Sequence, residues 1–165
     1  MKSPSKLNLG CGKNKLTDGF VNIDIQTELD PDMVLDVRYL EGISDNSVDV
    51  IRADHVIEHF PHWQTHTILK LWFEKLKPGG QLEMSCPDLE LIAQDIIDKK
   101  RNILDLMKDV YGGQDNPWNY HCAGFTKEFM IKTLQNAGFK VVKCEQVTVS
   151  EYRNLVIIGV KDVKV

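Results

Sequence analysis

The chain has 165 residues, of which 42% are hydrophobic and 27% are charged. This composition suits a globular protein, and the length suits one domain rather than two. The formal net charge of −4 argues against a nucleic-acid partner, because no excess of positive charge is present to hold a phosphate backbone. The four cysteines form no CxxC pair, and no segment approaches the roughly 20 apolar residues of a membrane helix. We therefore expect one cytoplasmic domain over residues 1–165, without disulfides or a membrane anchor.

The first third of the chain predicts four short strands. Leu7 and Leu9 mark the first, and residues 20–25 (FVNIDI) alternate apolar and polar side chains as the second. Residues 33–37 and 47–53 form the third and the fourth. The segment 13–19 between the first two strands is too short for a crossover helix of ordinary length.

Apolar residues then recur at helical spacing in four places. The first helix carries Ile68, Leu69, Trp72 and Phe73 and ends at the turn 77–80. Asp88 and Thr126 are the expected N-caps of the second and fourth helices, and Gly138 is the expected left-handed residue that closes the fourth. The third helix, from Ile103 to Val110, leads into residues 111–125, which are too rich in Gly, Pro and Asn to be regular. Irregular segments of this length are often functional.

Three further strands complete the pattern. Residues 81–86 follow the first helix, and residues 139–149 and 154–161 form a closing hairpin. Strands that alternate with helices predict a parallel sheet with helices on both faces, to which the hairpin adds an antiparallel strand. The sequence therefore predicts an α/β, Rossmann-like fold with a seven-stranded, mostly parallel sheet.

Polar residues and glycines stand where the first four predicted strands end. They are Gly10-Cys11-Gly12, Asp24, Asp36 and Asp54-His55. In open parallel sheets, ligands bind beyond the carboxyl ends of the strands. Two glycines allow the backbone to turn and a ligand to approach it, and a carboxylate at the next strand end can accept both hydroxyl hydrogens of a ribose. Together these features predict a nucleoside site.

The glycine turn is not that of a dinucleotide site. A GxGxxG motif opens a helix whose N-terminus faces the pyrophosphate, whereas this chain reads GCGKNK and has Lys15 at the third glycine position. We therefore expect a ligand that contains adenosine but no pyrophosphate.

Several segments, in this order, resemble the class I S-adenosylmethionine-dependent methyltransferases, in particular small members that carry LNLGCG followed by GFVNID. The likeness continues through ADHVIEHF (53–60), LKPGGQLEMSCPDL (76–89) and YGGQDNPWNYHCAGFT (111–126), so it covers most of the chain. The resemblance implies a minimal methyltransferase domain with S-adenosyl-L-methionine as its cofactor.

The resemblance also implies residue roles. The family's glycine motif falls on Asn8, Gly10, Gly12 and Asn14, and Asn8 lacks the charge that pairs with the cofactor's ammonium group. The ribose-binding acid falls on Asp24. Asp36 either contacts the adenine or pairs only with Arg38. The implied cofactor-binding residues are Asn8, Gly10, Cys11, Gly12, Asp24, Ile25, Asp36, Val37, Asp54 and His55.

Two histidines are the candidate catalytic residues. His59 follows the ligand-binding edge, where it serves either as a base toward the methyl acceptor or as a capping or packing residue. His121 lies in the irregular segment, where the resemblance implies substrate-side residues; it either accepts a proton there or bonds only to the backbone.

The histidines also raise the possibility of a metal site, which the sequence argues against. His55, His59, His62 and His66 would share one helical stripe, but Pro61 pushes the preceding residue out of helical geometry. The zinc motif HExxH is absent as well. We therefore predict no metal ion.

The resemblance favours a small-molecule or glycan acceptor that is methylated on oxygen or nitrogen. Asp54-His55-Val56 stands where DNA amino-methyltransferases carry an Asn or Asp followed by Pro-Pro and an aromatic residue, which argues against base methylation. Two other functions stay open: a non-catalytic subunit that binds S-adenosylmethionine, suggested by Asn8, and a nicotinamide-dependent oxidoreductase.

Overall fold

The computed structural model describes residues 4–150 and 152–162, so the ends of the predicted domain at residues 1–3 and 163–165 lie outside it. Within the described ranges, seven strands form one sheet and four α-helices accompany it. The strands are β1 (Lys6–Leu9), β2 (Phe20–Asp24), β3 (Met33–Val34), β4 (Val48–Asp54), β5 (Leu76–Pro87), β6 (Lys140–Val149) and β7 (Tyr152–Val160). The helices are α1 (His62–Lys75), α2 (Leu89–Asp98), α3 (Ile103–Tyr111) and α4 (Lys127–Ala137).

The sheet has the order β3-β2-β1-β4-β5-β7-β6. Strands β3, β2, β1, β4 and β5 pair in parallel, and β7 runs antiparallel to both β5 and β6. The chain passes outward from β1 through β2 to β3 and then returns to β4 on the other side of β1. The carboxyl ends of β1 and β4 therefore lie at a point where strand order reverses, which is where such sheets bind ligands. The predicted Rossmann-like fold is confirmed.

The core lies between the sheet and its helices. Helix α1 packs against α4, and α2 packs against α3. Leu7, Leu9 and Ile51 from the central strands are fully buried, as are Leu69 and Trp72 from α1. Burial of these large apolar side chains supplies the main favourable free energy of folding.

Local sequence signals set several element boundaries as predicted. The Asp88 carboxylate accepts hydrogen bonds from the amides of Glu90 and Leu91 at the start of α2. The Thr126 hydroxyl accepts one from Phe129 at the start of α4, and Gly138 closes that helix with a φ of 109°. Each cap satisfies backbone groups that lack partners within the helix.

Strands β3 and β5 differ most from their predicted bounds, while β2, β4, β6 and β7 differ by one or two residues at an end. Strand β3 ends at Val34 because the chain turns at Asp36, whose carbonyl accepts hydrogen bonds from the amides of Tyr39 and Leu40. Strand β5 begins at Leu76, earlier than predicted, because Leu76 pairs with Val48 before the register shifts around residues 77–80. The predicted turn at 77–80 is thus an irregularity inside a longer strand.

Trp72 links α1 to the loop that follows β3. Its indole is fully buried, and its Nε1–H donates a 2.9 Å hydrogen bond to the carbonyl oxygen of Val37. This contact joins the core to the loop that forms part of the site described below.

Replacing this indole tests the contact. Trp72→Phe removes the donor and leaves the Val37 carbonyl buried without it, so we expect the free energy of unfolding to fall by about 1–3 kcal/mol. Urea unfolding measures the change. Trp63→Phe on the same helix is the matched control, because Trp63 is 70% exposed; a change within about 0.5 kcal/mol is expected there. Equal losses in the two variants would contradict the interpretation.

Candidate functional site

A cleft of about 400 Å³ lies beyond the carboxyl ends of β1, β2 and β4; we call it the first cleft. Most of the residues predicted to bind the cofactor line it, namely Gly10, Gly12, Asp24, Ile25, Asp36, Val37 and His55. These residues come from four separate chain segments, and the parallel sheet brings the segments to one edge.

The glycine turn and Asp24 form the floor of the first cleft. Gly10 and Gly12 both have positive φ angles, 58° and 52°, in the region that favours glycine. The amide of Gly12 donates to Asp24 Oδ2 at 2.8 Å, and the amide of Gln26 donates to Asp24 Oδ1 at 3.0 Å. These bonds orient a carboxylate that is 5% exposed, and each of its oxygens keeps a further lone pair for a ligand hydroxyl.

Three predicted cofactor residues are absent from the described lining of this cleft. The Asn8 amide is buried and donates to the Asn14 carbonyl and to Asn22 Oδ1. Cys11 is also buried, and burial raises the pKa of its thiol. The Asp54 carboxylate accepts hydrogen bonds from Arg52 and Ser85. Because their polar groups are engaged or buried elsewhere, the geometry does not support cofactor contacts by these side chains.

Asp36 lines the first cleft and also pairs with Arg38. The guanidinium donates to both carboxylate oxygens, at 2.6 Å from Nη2 and 3.0 Å from Nε. Burial by itself would raise the pKa of Asp36, but the hydrogen bonds and charge of Arg38 outweigh it and hold that pKa below its usual value. The guanidinium also lies over the rings of Tyr39 and Phe60, at 5.5 and 5.6 Å. The arginine thus shapes one wall of the cleft.

The irregular segment supplies the opposite wall, as its composition indicated. Pro117, Trp118 and Tyr120 line the first cleft, and the two aromatic side chains are each 47% exposed. None of these three residues was individually predicted from the sequence. Their aromatic character within a Gly- and Asn-rich segment was the available signal.

A cluster of polar side chains lies beside the first cleft and contains both predicted catalytic histidines. His59 and His121 are half-buried, with ring centroids 5.1 Å apart. His59 Nδ1 lies 3.0 Å from the carbonyl oxygen of Tyr120, and His121 Nδ1 lies 2.9 Å from that of Asp109. The structure therefore brings the two residues together and gives each ring a backbone partner.

Glu58 completes this cluster, and the sequence analysis missed it. Its side chain is 1% exposed, and its Oε1 lies 3.0 Å from Nδ1 of His55. Glu58 lies in a 3₁₀ helix, Ile57–His59, in which its side chain is buried. This helix begins two residues after His55, which has a φ of 55°. Glu58 directly follows the apolar residues Val56 and Ile57, and a carboxylate at that position was the signal that could have identified it. We refer to Glu58, His55, His59 and His121 as the Glu58 cluster.

The charge of Glu58 influences the neighbouring imidazoles. Partial burial alone would lower the pKa of His55, but the hydrogen bond to Glu58 and the nearby negative charges raise it above its ordinary value. Burial lowers the pKa of His121, with Glu58 opposing the change. Burial also raises the pKa of Cys86, with Glu58 adding to it. His121 is thus biased toward its neutral form.

A second cleft adjoins the first and shares His55 and His59 with it. His121 lines the second cleft together with charged residues from α3, β7 and the α2–α3 connection. Among these, Arg101 and Asp109 form an ion pair at 2.6 Å, and Arg153 bonds Asp95 at 2.8 Å. The Glu58 cluster therefore lies at the junction between the first cleft and the polar second cleft.

Comparison with known protein families identifies the chain. A family model described as a methyltransferase domain matches residues 3–144, which is most of the sequence. The chain belongs to this methyltransferase family. Membership confirms the resemblance found in the sequence and the predicted cofactor, S-adenosylmethionine. A search of curated proteins found no significant match.

Solved structures of methyltransferases share the fold. A SAM-dependent methyltransferase from Methanosarcina mazei is 18% identical with a TM-score of 0.69, covering 99% of this chain and 95% of that one. One from Archaeoglobus fulgidus is 16% identical with a TM-score of 0.70, covering 96% and 86%. The Burkholderia thailandensis 1,6-didemethyltoxoflavin-N1-methyltransferase, solved with its substrate and S-adenosylhomocysteine, is 15% identical with a TM-score of 0.65, covering 96% and 71%.

The membrane prediction concerns the helices alone. Among residues 4–150 and 152–162, no helix combines the length and the apolar character needed to cross a bilayer.

The two glycines of the turn differ in what surrounds them, and this difference predicts different costs of substitution. A Cβ on Gly10 would lie 2.7 Å from Cγ2 of buried Val56, whereas a Cβ on Gly12 would have no heavy atom within 4 Å. Both alanine variants incur about 1–2 kcal/mol for the left-handed backbone. Gly10→Ala incurs roughly 1–3 kcal/mol more through overpacking. Urea unfolding measures both values.

A double variant tests the cause of this extra cost. Val56→Ala removes the clashing methyl groups, so the additional penalty of Gly10→Ala should largely disappear in the Val56→Ala background. Equal penalties for Gly10→Ala in the two backgrounds would show that the clash is not the reason.

Proposed function

We propose that this protein is an S-adenosylmethionine-dependent methyltransferase that binds its cofactor in the first cleft. The acceptor, a small molecule or a sugar, binds in the second cleft and is methylated on oxygen or nitrogen. One observation carries the proposal. In a chain that belongs to a methyltransferase family, the Gly12 amide donates a hydrogen bond to the buried Asp24 carboxylate at the carboxyl edge of the sheet.

The first cleft suits an adenosine-containing ligand without a pyrophosphate. Asp24 offers lone pairs to the two ribose hydroxyls, while Asp36 and the Val37 backbone lie where the adenine would follow. His55 and Val56 then lie toward the methionine end. No helix follows the glycine turn among residues 13–19, so the helix N-terminus that a dinucleotide phosphate requires is missing from the described segment. This argues against the nicotinamide-dependent oxidoreductase.

The second cleft suits a polar acceptor. Its lining includes ion-paired arginines and aspartates, and its junction with the first cleft lies at His55 and His59. A methyl group carried by a sulfonium at the end of the first cleft would therefore face an acceptor atom held in the second. The irregular segment contributes to both clefts through Asn119, which lets it contact cofactor and acceptor together.

The reaction is an in-line displacement. The acceptor atom forms a bond to the methyl carbon as the carbon–sulfur bond breaks, and the sulfonium becomes the neutral thioether of S-adenosylhomocysteine. Alignment of acceptor atom, methyl group and sulfur is the main source of rate, and such alignment contributes about 7–11 kcal/mol in favourable intramolecular cases. His59 and His121 act on the acceptor side, where a hydroxyl acceptor must lose its proton.

A non-catalytic subunit that binds S-adenosylmethionine is the second candidate. Asn8 favours it, since the amide is neutral and its donors are used inside the protein. The two functions differ in a simple observable: only the enzyme forms S-adenosylhomocysteine from S-adenosylmethionine in the presence of an acceptor.

Removal of the Asp24 carboxylate tests the cofactor site. Asp24→Ala should weaken S-adenosylhomocysteine binding by about 1.5–3 kcal/mol, the range for hydrogen bonds to charged groups. Isothermal titration calorimetry of the purified protein measures it, with NADH as a ligand that should not bind. Asp49→Ala is the control, since Asp49 lies near the opposite end of β4 and pairs with Lys77. Unchanged binding in Asp24→Ala would place the cofactor elsewhere.

Substitution of His121 separates acceptor chemistry from cofactor binding. His121 lines the second cleft and is absent from the described lining of the first. His121→Ala should therefore keep the S-adenosylhomocysteine affinity within about twofold while lowering kcat with a hydroxyl acceptor by roughly 10²–10⁴-fold, the contribution of general acid–base catalysis. A panel of hydroxylated small molecules and sugars, assayed by S-adenosylhomocysteine release, identifies the acceptor. A large loss of cofactor affinity would move His121 to the cofactor side.

A further inference from the structure

In the described part of the chain, Glu58 has a buried carboxylate oxygen without a hydrogen-bond partner, as Asp88 and the ion-paired Asp95 also do. Its side chain is 1% exposed, and its Oε1 is 3.0 Å from His55 Nδ1, but its Oε2 has no hydrogen-bond partner among the described residues. A buried carboxylate oxygen without a partner is costly, because water no longer solvates it. The usual compensation is a cation, either an ion-paired side chain or a metal.

The hydrogen bonds of His59 and His121 leave one nitrogen of each ring available as a metal ligand. The Nδ1 atoms of His59 and His121 each face a backbone carbonyl oxygen, which only accepts hydrogen bonds. Each Nδ1 must therefore carry the proton, which leaves an unprotonated lone pair on Nε2 of the neutral ring. Metal-binding histidines commonly have this arrangement, with the second nitrogen donating to a carbonyl or a carboxylate.

These groups also lie close together. Glu58, His59 and His121 each place one potential ligand atom within 4.8 Å of the others. We propose that these three residues bind one divalent transition-metal ion. This departs from the sequence-based prediction of no metal ion, which considered a helical stripe of histidines and the HExxH motif and included neither Glu58 nor His121. Two imidazoles and one carboxylate form the donor set of catalytic zinc sites with an open position, whereas Mg²⁺ prefers oxygen ligands. Zn²⁺ is therefore the ion that this donor set fits best.

Backbone hydrogen bonds hold Glu58 and His121 in place. The amides of Cys122 and Ala123 donate to the carbonyl oxygen of Glu58, at 2.7 and 3.1 Å. The amide of His121 donates to the carbonyl of Tyr111 at 3.0 Å. The segment that carries His121 is thus attached directly to the residue that supplies the carboxylate, so ion binding requires little ordering of the chain. Preorganisation of this kind lowers the entropic cost of binding.

The proposed ion would lie where the two clefts meet. Its positive charge would stand beside an acceptor hydroxyl and favour loss of the hydroxyl proton to solvent, which makes the oxygen a better nucleophile toward the methyl group. With the ion bound, this effect would replace direct proton transfer to His59 or His121, because the Nε2 lone pairs of both rings would be bound to the ion. This role rests on the proposed methyl transfer. Metal binding itself does not, because it depends on the Glu58 cluster alone.

Calorimetric titration with zinc chloride tests the site. The 165-residue chain is treated with a chelator, dialysed and titrated, and one ion per chain is expected. Glu58→Gln and His121→Ala each remove one ligand and should weaken zinc affinity at least ~10-fold, since even outer-shell changes typically cost 10–100-fold. His62→Ala and Cys122→Ser are the controls. His62 lies outside the cluster, and the exposed Cys122 thiol is the neighbouring group that could bind zinc independently; both variants should keep the wild-type affinity.

Thermal unfolding guards against misfolded variants. Zinc should raise the Tm of the wild-type protein and of both controls, and should raise the Tm of Glu58→Gln and His121→Ala by less at the same concentration. His59→Ala serves as a further ligand variant if one of these two fails to fold. Absence of zinc binding to the wild type, or an equal loss of affinity in Cys122→Ser, would overturn the site.

Titration of the same proteins with S-adenosylhomocysteine separates this inference from the proposed function. Zinc binding without binding of S-adenosylhomocysteine would support the metal site and overturn the cofactor proposal. Binding of S-adenosylhomocysteine without zinc would overturn the metal site and leave the methyltransferase proposal standing.

Discussion

The buried amide pair of Asn8 and Asn22 is the interaction on which the candidate site depends. The chain joins the adjacent parallel strands β1 and β2 without a helix, so side chains must satisfy the backbone of the connection. Asn22 accepts a hydrogen bond from the Leu16 amide at 2.7 Å and donates one to the Leu16 carbonyl at 3.0 Å, while Asn8 donates to Asn22 and to the Asn14 carbonyl. Because this network holds the loop against the sheet, the Gly12 amide meets the Asp24 carboxylate.

The irregular segment depends on a comparable constraint. Residues 112–125 contain no helix or strand, yet the backbone bonds from Cys122 and Ala123 to Glu58 attach the segment to the carboxyl edge of the sheet. The attachment places Trp118 and Tyr120 on the first cleft and His121 on the second. A short carboxylate-bearing turn therefore organises both the aromatic wall and the histidine pair. The cost of burying the Glu58 carboxylate is offset in part by His55, whose Nδ1 lies 3.0 Å from Oε1.

Family membership and local side-chain groups account for different parts of this structure. Methyltransferase family membership accounts for the sheet and its ligand-binding edge. The Glu58 cluster and the polar second cleft are local groups beside that edge, and function lies in such local groups rather than in the fold. Asn8 illustrates the same distinction, since its amide supports the loop while leaving no charge for the cofactor's ammonium group.

The sequence by itself determined the strand and helix pattern, the caps at Asp88 and Thr126, and the glycine and acid positions at the strand ends, because these depend on local spacing and local hydrogen bonds. The length of β3 was overestimated from the sequence, because no local pattern indicated the turn at Asp36. Only the tertiary structure decided that Asn8, Cys11 and Asp54 are missing from the described lining of the first cleft and that Glu58 is buried beside His121. His59 and His121 are distant in sequence, so their proximity arises from long-range packing that no local pattern encodes.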